Sequence, residues 1–209
     1  MTAMTLWGDD GSTHVRTVKM VFAEKGFTDY EQIALDGADG EPEAPAARER
    51  HPFGEVPVLQ YDGLRIVETS AIARYLDDVL RGKLLTPSAA ANRARMNMTI
   101  GLVDSYGYDA LVGGVAAFHL FPEFVGGRND AAREAGLENG RRVLEYVMQL
   151  KDSAPFIAGD LSLADLYLAP ILAYVALTPD AAMLLRVPGF GEWWERVQSL
   201  ASFRETALG

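Results

Sequence analysis

His51-Pro52-Phe53-Gly54-Glu55-Val56-Pro57-Val58-Leu59-Gln60-Tyr61-Asp62-Gly63-Leu64-Arg65-Ile66-Val67-Glu68-Thr69-Ser70-Ala71-Ile72 is the stretch that decides how the first part of this chain folds. Two apolar runs, Val56 to Tyr61 and Leu64 to Val67, flank Asp62-Gly63, the strongest short-range signal for a tight hairpin, so they pair antiparallel. Ile72, Tyr75, Leu76, Val79 and Leu80 follow at helical spacing on one face, and Gly82 ends the run. Working upstream, Met4 to Trp7 reads as a short strand. Past the Gly8-Asp9-Asp10-Gly11 turn, Val15, Val18, Val21 and Phe22 predict a helix stopped by Gly26. Tyr30 to Leu35 alternates like a strand, and the Gly-, Pro- and acid-rich stretch 36–49 reads as a solvated loop with one short helix. The element order β-α-β, loop, β-β-α marks an α/β unit over residues 1–81.

Working downstream, residues 82–89, with Thr86-Pro87 inside, read as a linker, and strand signals then vanish. An all-helical domain over 90–209 is expected, with helices from Asn92 to about Phe121, Asp130 to Lys151, Leu163 to Ala176 and Phe190 to Leu200. Gly113-Gly114 and Pro170 are the expected bends.

Composition narrows the function. The 209 residues are 49% hydrophobic and 23% charged, enough apolar surface for real cores. A net charge of −10 repels phosphate backbones and anionic lipid, which argues against nucleic acid or a membrane as partner. The absence of cysteine removes disulfides, thiolate metal ligands and any protein thiol nucleophile. Met1 to Trp7 lacks the basic and apolar pattern of a signal peptide, and no run approaches the roughly 18 apolar residues of a membrane span, so a cytoplasmic home is expected. His14, His51 and His119 are scattered without metal-ligand spacing, so no catalytic metal is expected.

Three segments place polar groups where chemistry is possible. Ser12 stands between the first strand and first helix, either as a plain N-cap or as a hydroxyl that holds a thiolate at the positive end of the helix dipole; Thr13 competes for both roles. Val56-Pro57 fits a cis bond that turns the Val56 backbone toward an extended peptide, and it also fits a simple edge-strand proline. Glu68-Thr69-Ser70 sets a capping hydroxyl, unused N–H groups and a carboxylate at one helix start, which suits a zwitterionic amino-acid group as well as it suits a plain cap. Ser162 and Asp165, three apart, form a structural capping box.

In this order and at this separation the segments resemble the cytosolic glutathione transferases over essentially the whole chain. Leu6-Trp7-Gly8-Asp9-Asp10-Gly11-Ser12-Thr13-His14-Val15-Arg16 is similar to the strand, turn and helix start of the serine-type classes, phi- and theta-like bacterial members included, with the catalytic serine matching Ser12. His51 to Leu59 resembles the Asn-Pro-x-Gly-x-Val-Pro-x-Leu signature that carries the cis-proline, here Pro57. Glu68-Thr69-Ser70-Ala71-Ile72 resembles the Glu-Ser-x-Ala-Ile motif that grips the γ-glutamyl end of glutathione. Gly159-Asp160 through Asp165 resembles the family's capping box, one residue shorter.

The resemblance implies a thioredoxin-like N-terminal domain, an all-helical C-terminal domain and a cytoplasmic homodimer. Glutathione would be the co-substrate, and its thiolate would attack a small hydrophobic electrophile. Glutathione-dependent dehalogenation or isomerisation is the neighbouring alternative, and a non-catalytic carrier or interaction module the distant one. Ser12 is then the catalytic residue, and Glu55, Val56, Pro57, Glu68 and Thr69 bind glutathione. Tyr106, Tyr108, Leu111, Val115 and Phe118 are candidates for the electrophile pocket, and Phe53 for packing on a partner subunit. This chain also departs from the pattern. Pro42 and Glu43 stand where plant-like serine classes carry a His-Lys pair for the glycine carboxylate, which leaves Arg48, Arg50 or His51 as substitutes. Glu55 replaces the usual Gln, while Thr69 for Ser keeps the hydroxyl.

Overall fold

A computed structural model describes residues 4–35, 44–184 and 186–207 of the chain. Pro42 and Glu43 lie outside them. Four strands, β1 (Met4–Trp7), β2 (Tyr30–Ile33), β3 (Val58–Tyr61) and β4 (Leu64–Ile66), form one sheet in the order β2-β1-β3-β4. Helix α1 (Thr13–Glu24) crosses from β1 to a parallel β2, whereas β3 runs antiparallel to β1 and β4 antiparallel to β3. Asp62 at φ 49° and Gly63 at φ 78° both take the left-handed conformation that the two-residue turn joining twisted strands requires. Met4, Leu6 and Leu59 share one sheet face and are buried together with Val15, Val18 and Phe22 of α1 and Ile72 and Leu76 of α3 (Thr69–Val79). Each such side chain contributes about 1.5–3 kcal/mol. The short helix α2 (Pro45–Arg50) leads into the corner before β3.

Lys25, at the end of α1, is buried in an ion pair with Asp77 of α3 at 2.6 Å and also donates to the carbonyls of Asp77 and Lys83. Those acceptors make the buried charge tolerable. Gly26 takes φ 63°, as a helix terminator should.

Contacts divide the chain into two units, with the second spanning Leu85–Leu200. The expected helical domain 90–209 is corrected at its end: α10 (Ala201–Glu205) belongs to the first unit. Arg16 of α1 donates to the Phe203 carbonyl at 2.8 Å and lies over the Phe203 ring, and Ser202 donates to Glu24. No periodicity signals such a long-range latch.

In the second unit, α4 (Ala90–Leu102) continues through π-helical turns, Val103–Gly107 and Asp109–Ala116, into α5 (Ala117–Leu120). The bend expected at Gly113-Gly114 is replaced by this widened helix. A Cβ on Gly114 would meet the Gly136 Cα at 2.9 Å, and one on Gly136 would meet the Ala110 carbonyl at 2.6 Å. Backbone therefore touches backbone where α6 (Asp130–Lys151) crosses, while Gly113 faces open space. Pro170 lies inside α7 (Leu163–Ala176), which runs unbroken and is almost wholly buried. Two shorter helices follow, α8 (Ala181–Leu184) and α9 (Phe190–Ser199).

Asp180 joins three parts of this unit. Arg133 of α6 grips both of its carboxylate oxygens, and His119 of α5 meets Oδ2 at 2.7 Å. The Arg133 guanidinium, with His119 beside it, holds the Asp180 carboxyl below the usual carboxylate range. A depressed folded value contributes stability that is present above the ordinary aspartate pKa of about 3.9 and lost as pH falls through the folded value. Asp180→Asn is expected to remove that component: melting temperature measured against pH should drop at neutral pH and show a flatter acid limb than wild type.

No helix among the described residues is long and apolar enough to cross a membrane.

Candidate active site

The register brings one end of the sheet together. Trp7 at the end of β1 pairs with Val58 at the start of β3, and Ile66 at the end of β4 pairs with Leu59. The starts of α1 and α3, the corner after α2 and the Val56-Pro57 segment therefore gather there. Gly8, at φ 134°, lets them converge, since a Cβ on it would lie 2.4 Å from Val15 Cγ2 and 3.0 Å from Val56 Cβ. The turn is pinned by Gly8 N–H donating to the Ile33 carbonyl at 2.9 Å and by Gln32 donating to the Gly8 carbonyl and to Asp10.

Ser12 is the N-cap of α1, and its Oγ accepts from the Val15 amide at 3.3 Å. Capping uses a lone pair, so the hydroxyl proton remains for donation to something else. Ser12 is half-buried, whereas the Thr13 Oγ1 is sealed from solvent and has no hydrogen-bond partner among the described residues. Of the two competing hydroxyls, only that of Ser12 is reachable.

The Val56-Pro57 bond is cis. Val56 is half-buried just ahead of β3 and makes no hydrogen bond among the described residues, so its N–H and C=O stay available to an extended ligand. Glu55 beside it is exposed.

The start of α3 corrects the expected cap. Glu68, not a hydroxyl residue, occupies the N-cap, with no side-chain cap bond. Its φ of 70° lies in the left-handed region, a cost of about 1–2 kcal/mol for a residue with a side chain. The Glu68 carbonyl already takes the Ala71 and Ile72 amides, while those of Thr69 and Ser70 make no hydrogen bond among the described residues. Two N–H groups, the buried Thr69 side chain and the exposed Glu68 carboxylate thus sit at one point.

Around the corner, His51 is buried and its Nδ1 accepts from the Phe53 amide at 3.1 Å. Phe53 is 71% exposed. Arg48 is exposed, and the Arg50 guanidinium lies over the Trp7 ring at 5.1 Å.

The proposed pocket residues of the second unit separate. Leu111 and Val115 are fully buried, Leu111 against Gly140, so they serve that unit's core instead of lining a pocket. Phe118 is half-buried beneath the guanidinium groups of Arg128 and Arg133. Tyr108 is half-buried and Tyr106 is 62% exposed on a groove beside α6. Periodicity separates faces of a helix but cannot say which face the widened turns bury.

Residues 11–79 match the model of the glutathione S-transferase N-terminal domain. Glutathione S-transferase 1 of Zea mays is 29% identical over 99% of this chain and 97% of its own length. The chain is thus similar to glutathione S-transferases over nearly its whole length. The motifs suggest bacterial serine-type members, and this relative is instead a plant protein. Glutathione S-transferase I from maize, solved in complex with an atrazine glutathione conjugate, superposes with a TM-score of 0.83 at 27% identity, covering 98% of this chain and 96% of that one. A theta-class transferase from Xanthomonas axonopodis pv. citri, solved with glutathione bound, gives 0.83 at 26% identity, covering 100% and 99%. The chain shares the architecture of these structures, a thioredoxin-like domain followed by a helical one. Among the described residues no three His, Asp or Glu side chains gather as a metal site.

Proposed function

We propose that this protein is a glutathione transferase of the serine type, acting in the cytoplasm, in which Ser12 holds the glutathione sulfur as a thiolate. The single observation that carries this is the reachable Ser12 hydroxyl at the start of α1, its proton without an acceptor among the described residues, at the sheet end where Val56, Glu68 and Thr69 gather. A γ-glutamyl group meets the Thr69 and Ser70 amides with its carboxylate and Glu68 with its ammonium, while the cysteinyl main chain pairs with Val56. The magnitudes close. Bringing a thiol of pKa about 8.5 down by about two pH units needs roughly 2.7 kcal/mol. A charge-assisted hydrogen bond supplies about 1.5–3 kcal/mol and the helix dipole about 0.3–1. The thiolate lone pair then forms a carbon–sulfur bond with a hydrophobic electrophile as the displaced group leaves with its electron pair.

The reading is tested by titrating glutathione into the protein and following thiolate absorbance in the ultraviolet. A saturable signal at neutral pH supports it, and no signal at millimolar glutathione sinks it.

The same reading includes a homodimer. Phe53 projects from the corner before β3, and the α6 groove, about 880 Å³ and lined by small residues such as Ala110, Gly113, Ala135 and Gly136, offers a slot of matching chemistry on a second copy. Phe53→Ser is expected to shift the protein from dimer toward monomer in sedimentation velocity at micromolar concentration. An unchanged dimer would remove Phe53 from the interface.

A further inference from the structure

Ser12 stands at the end of an acidic turn. Asp9 and Asp10 put two carboxylates within three residues of the hydroxyl that would hold a thiolate. Negative charge so placed favours the neutral thiol over the thiolate.

Both acids are tied down. The Asp9 Oδ1 accepts from the Leu35 amide at 3.1 Å, and the Asp9 carbonyl takes the Ser12 amide at 3.1 Å. The Asp10 Oδ1 accepts from Lys19 of α1 at 2.5 Å and from the Gln32 side chain at 2.8 Å. The same Gln32 nitrogen donates to the Gly8 carbonyl at 2.9 Å, so a single amide group binds the turn at two points. Gln32 lies on β2, opposite Leu6 of β1. In the order β2-β1-β3-β4, β2 flanks β1 on the side away from β3, the strand into which Val56 leads. Asp10 is thereby held toward β2, whereas an extended ligand paired with Val56 lies toward β3. Lys19 first and Gln32 next hold the Asp10 carboxyl below the usual carboxylate range, so it stays charged at neutral pH. Tyr30, also on β2, has its phenol pushed up by burial and then by Asp10, so it stays neutral there.

We propose that Lys19 and Gln32 are positioning residues for Ser12 and act through Asp10: Gln32 fixes the turn that aims the hydroxyl, and Lys19 cancels the Asp10 charge that would otherwise oppose the bound thiolate. This rests on the glutathione reading above. Both residues act at one remove from the sulfur. An ion pair with 64% of the Asp10 side chain in solvent adds little to stability, so its effect belongs in the thiol titration and not in the melting temperature.

The test titrates bound glutathione by its thiolate absorbance across pH and measures kcat and KM at neutral pH. Lys19→Met should raise the thiol pKa by about 0.5–1 pH unit, the effect of one uncancelled charge several ångströms away, and the rise should shrink as salt increases. Adding Asp10→Asn to Lys19→Met should return the wild-type value, because asparagine keeps an oxygen for Gln32 and carries no charge. Gln32→Leu should raise the thiol pKa by about as much without the salt dependence, and lower kcat about 3- to 10-fold while KM for glutathione changes less than about twofold. Asp9, His14, Arg50, Glu55, Glu68 and Glu205, which shares a recess with Lys19, are the same in every protein compared.

A Lys19→Met protein with the wild-type thiol pKa overturns the proposal. So does a double variant that keeps the raised value, or a Gln32→Leu protein, folded by circular dichroism, that changes only in melting temperature. Should Gln32→Leu not fold, Gln32→Asn, too short to reach Gly8 and Asp10 together, takes its place. If wild type gives no thiolate signal, the transferase reading fails and this one with it; a wild-type signal that no variant shifts sinks this one alone.

Discussion

Ser12→Ala is expected to lower kcat/KM for glutathione conjugation by about 30- to 1000-fold, the loss of roughly 2–4 kcal/mol of preorganised stabilisation of a developing or resident anion. The bound sulfur should titrate near the ordinary thiol value, so thiolate absorbance at neutral pH should largely disappear while glutathione still binds through Val56 and the start of α3. Ser12 also caps α1, and losing that bond to the Val15 amide costs about 1 kcal/mol. A modest drop in melting temperature is therefore part of the expectation, and it is far too small to explain the kinetic loss. Thr13→Val provides the contrast. It removes a buried hydroxyl that has no hydrogen-bond partner among the described residues, so stability should hold or rise and activity should persist. Full thiolate absorbance in Ser12→Ala would assign activation to backbone amides and defeat the proposed role.

Asp165→Ala is expected to be the most destabilising single change in the second unit. The Asp165 carboxylate, wholly buried at the start of α7, accepts from four donors: the Ile157 amide at 3.0 Å, the Ser162 amide and hydroxyl at 3.0 Å each, and the Trp193 indole at 2.8 Å. Burial pushes its acid up, against the pull of those donors. Alanine leaves all of them without a partner, and at about 1–3 kcal/mol per orphaned group the loss reaches 4 kcal/mol or more. That is a large share of the roughly 5–15 kcal/mol that holds a domain folded. Asp165→Asn should lose less, since one oxygen can still accept from two donors while its amide faces the Ser162 donors. Denaturant titration of the three proteins should rank them in that order. Asp165→Ala with wild-type stability would mean that water replaces the carboxylate in the core.

The two predictions differ in how far the sequence alone could have led to them. The Ser162 and Asp165 spacing is a local signal, readable because a capping box closes within one turn. That Trp193, 28 residues on, donates to the same carboxylate is not encoded in any spacing.

The same division runs through the protein. Strand alternation, the Asp62-Gly63 turn, the apolar stripes of α1 and α3 and the stops at Gly26 and Gly82 are short-range preferences, so the sequence by itself determined the element order and hence the α/β unit. It also narrowed the candidate site to Ser12, Val56 and Glu68-Thr69. Only tertiary structure chose between neighbours. Burial separated Ser12 from Thr13, sealed Leu111 and Val115 into the core and gave the N-cap of α3 to Glu68 at a φ that no propensity favours. It returned α10 to the first unit through Arg16 and widened α4 where Gly114 meets Gly136. The physical reason is one of range. Caps, turns and periodicity are settled within a few residues, but exposure, close backbone approach and the partner of a buried charge depend on segments that meet only after the chain has folded.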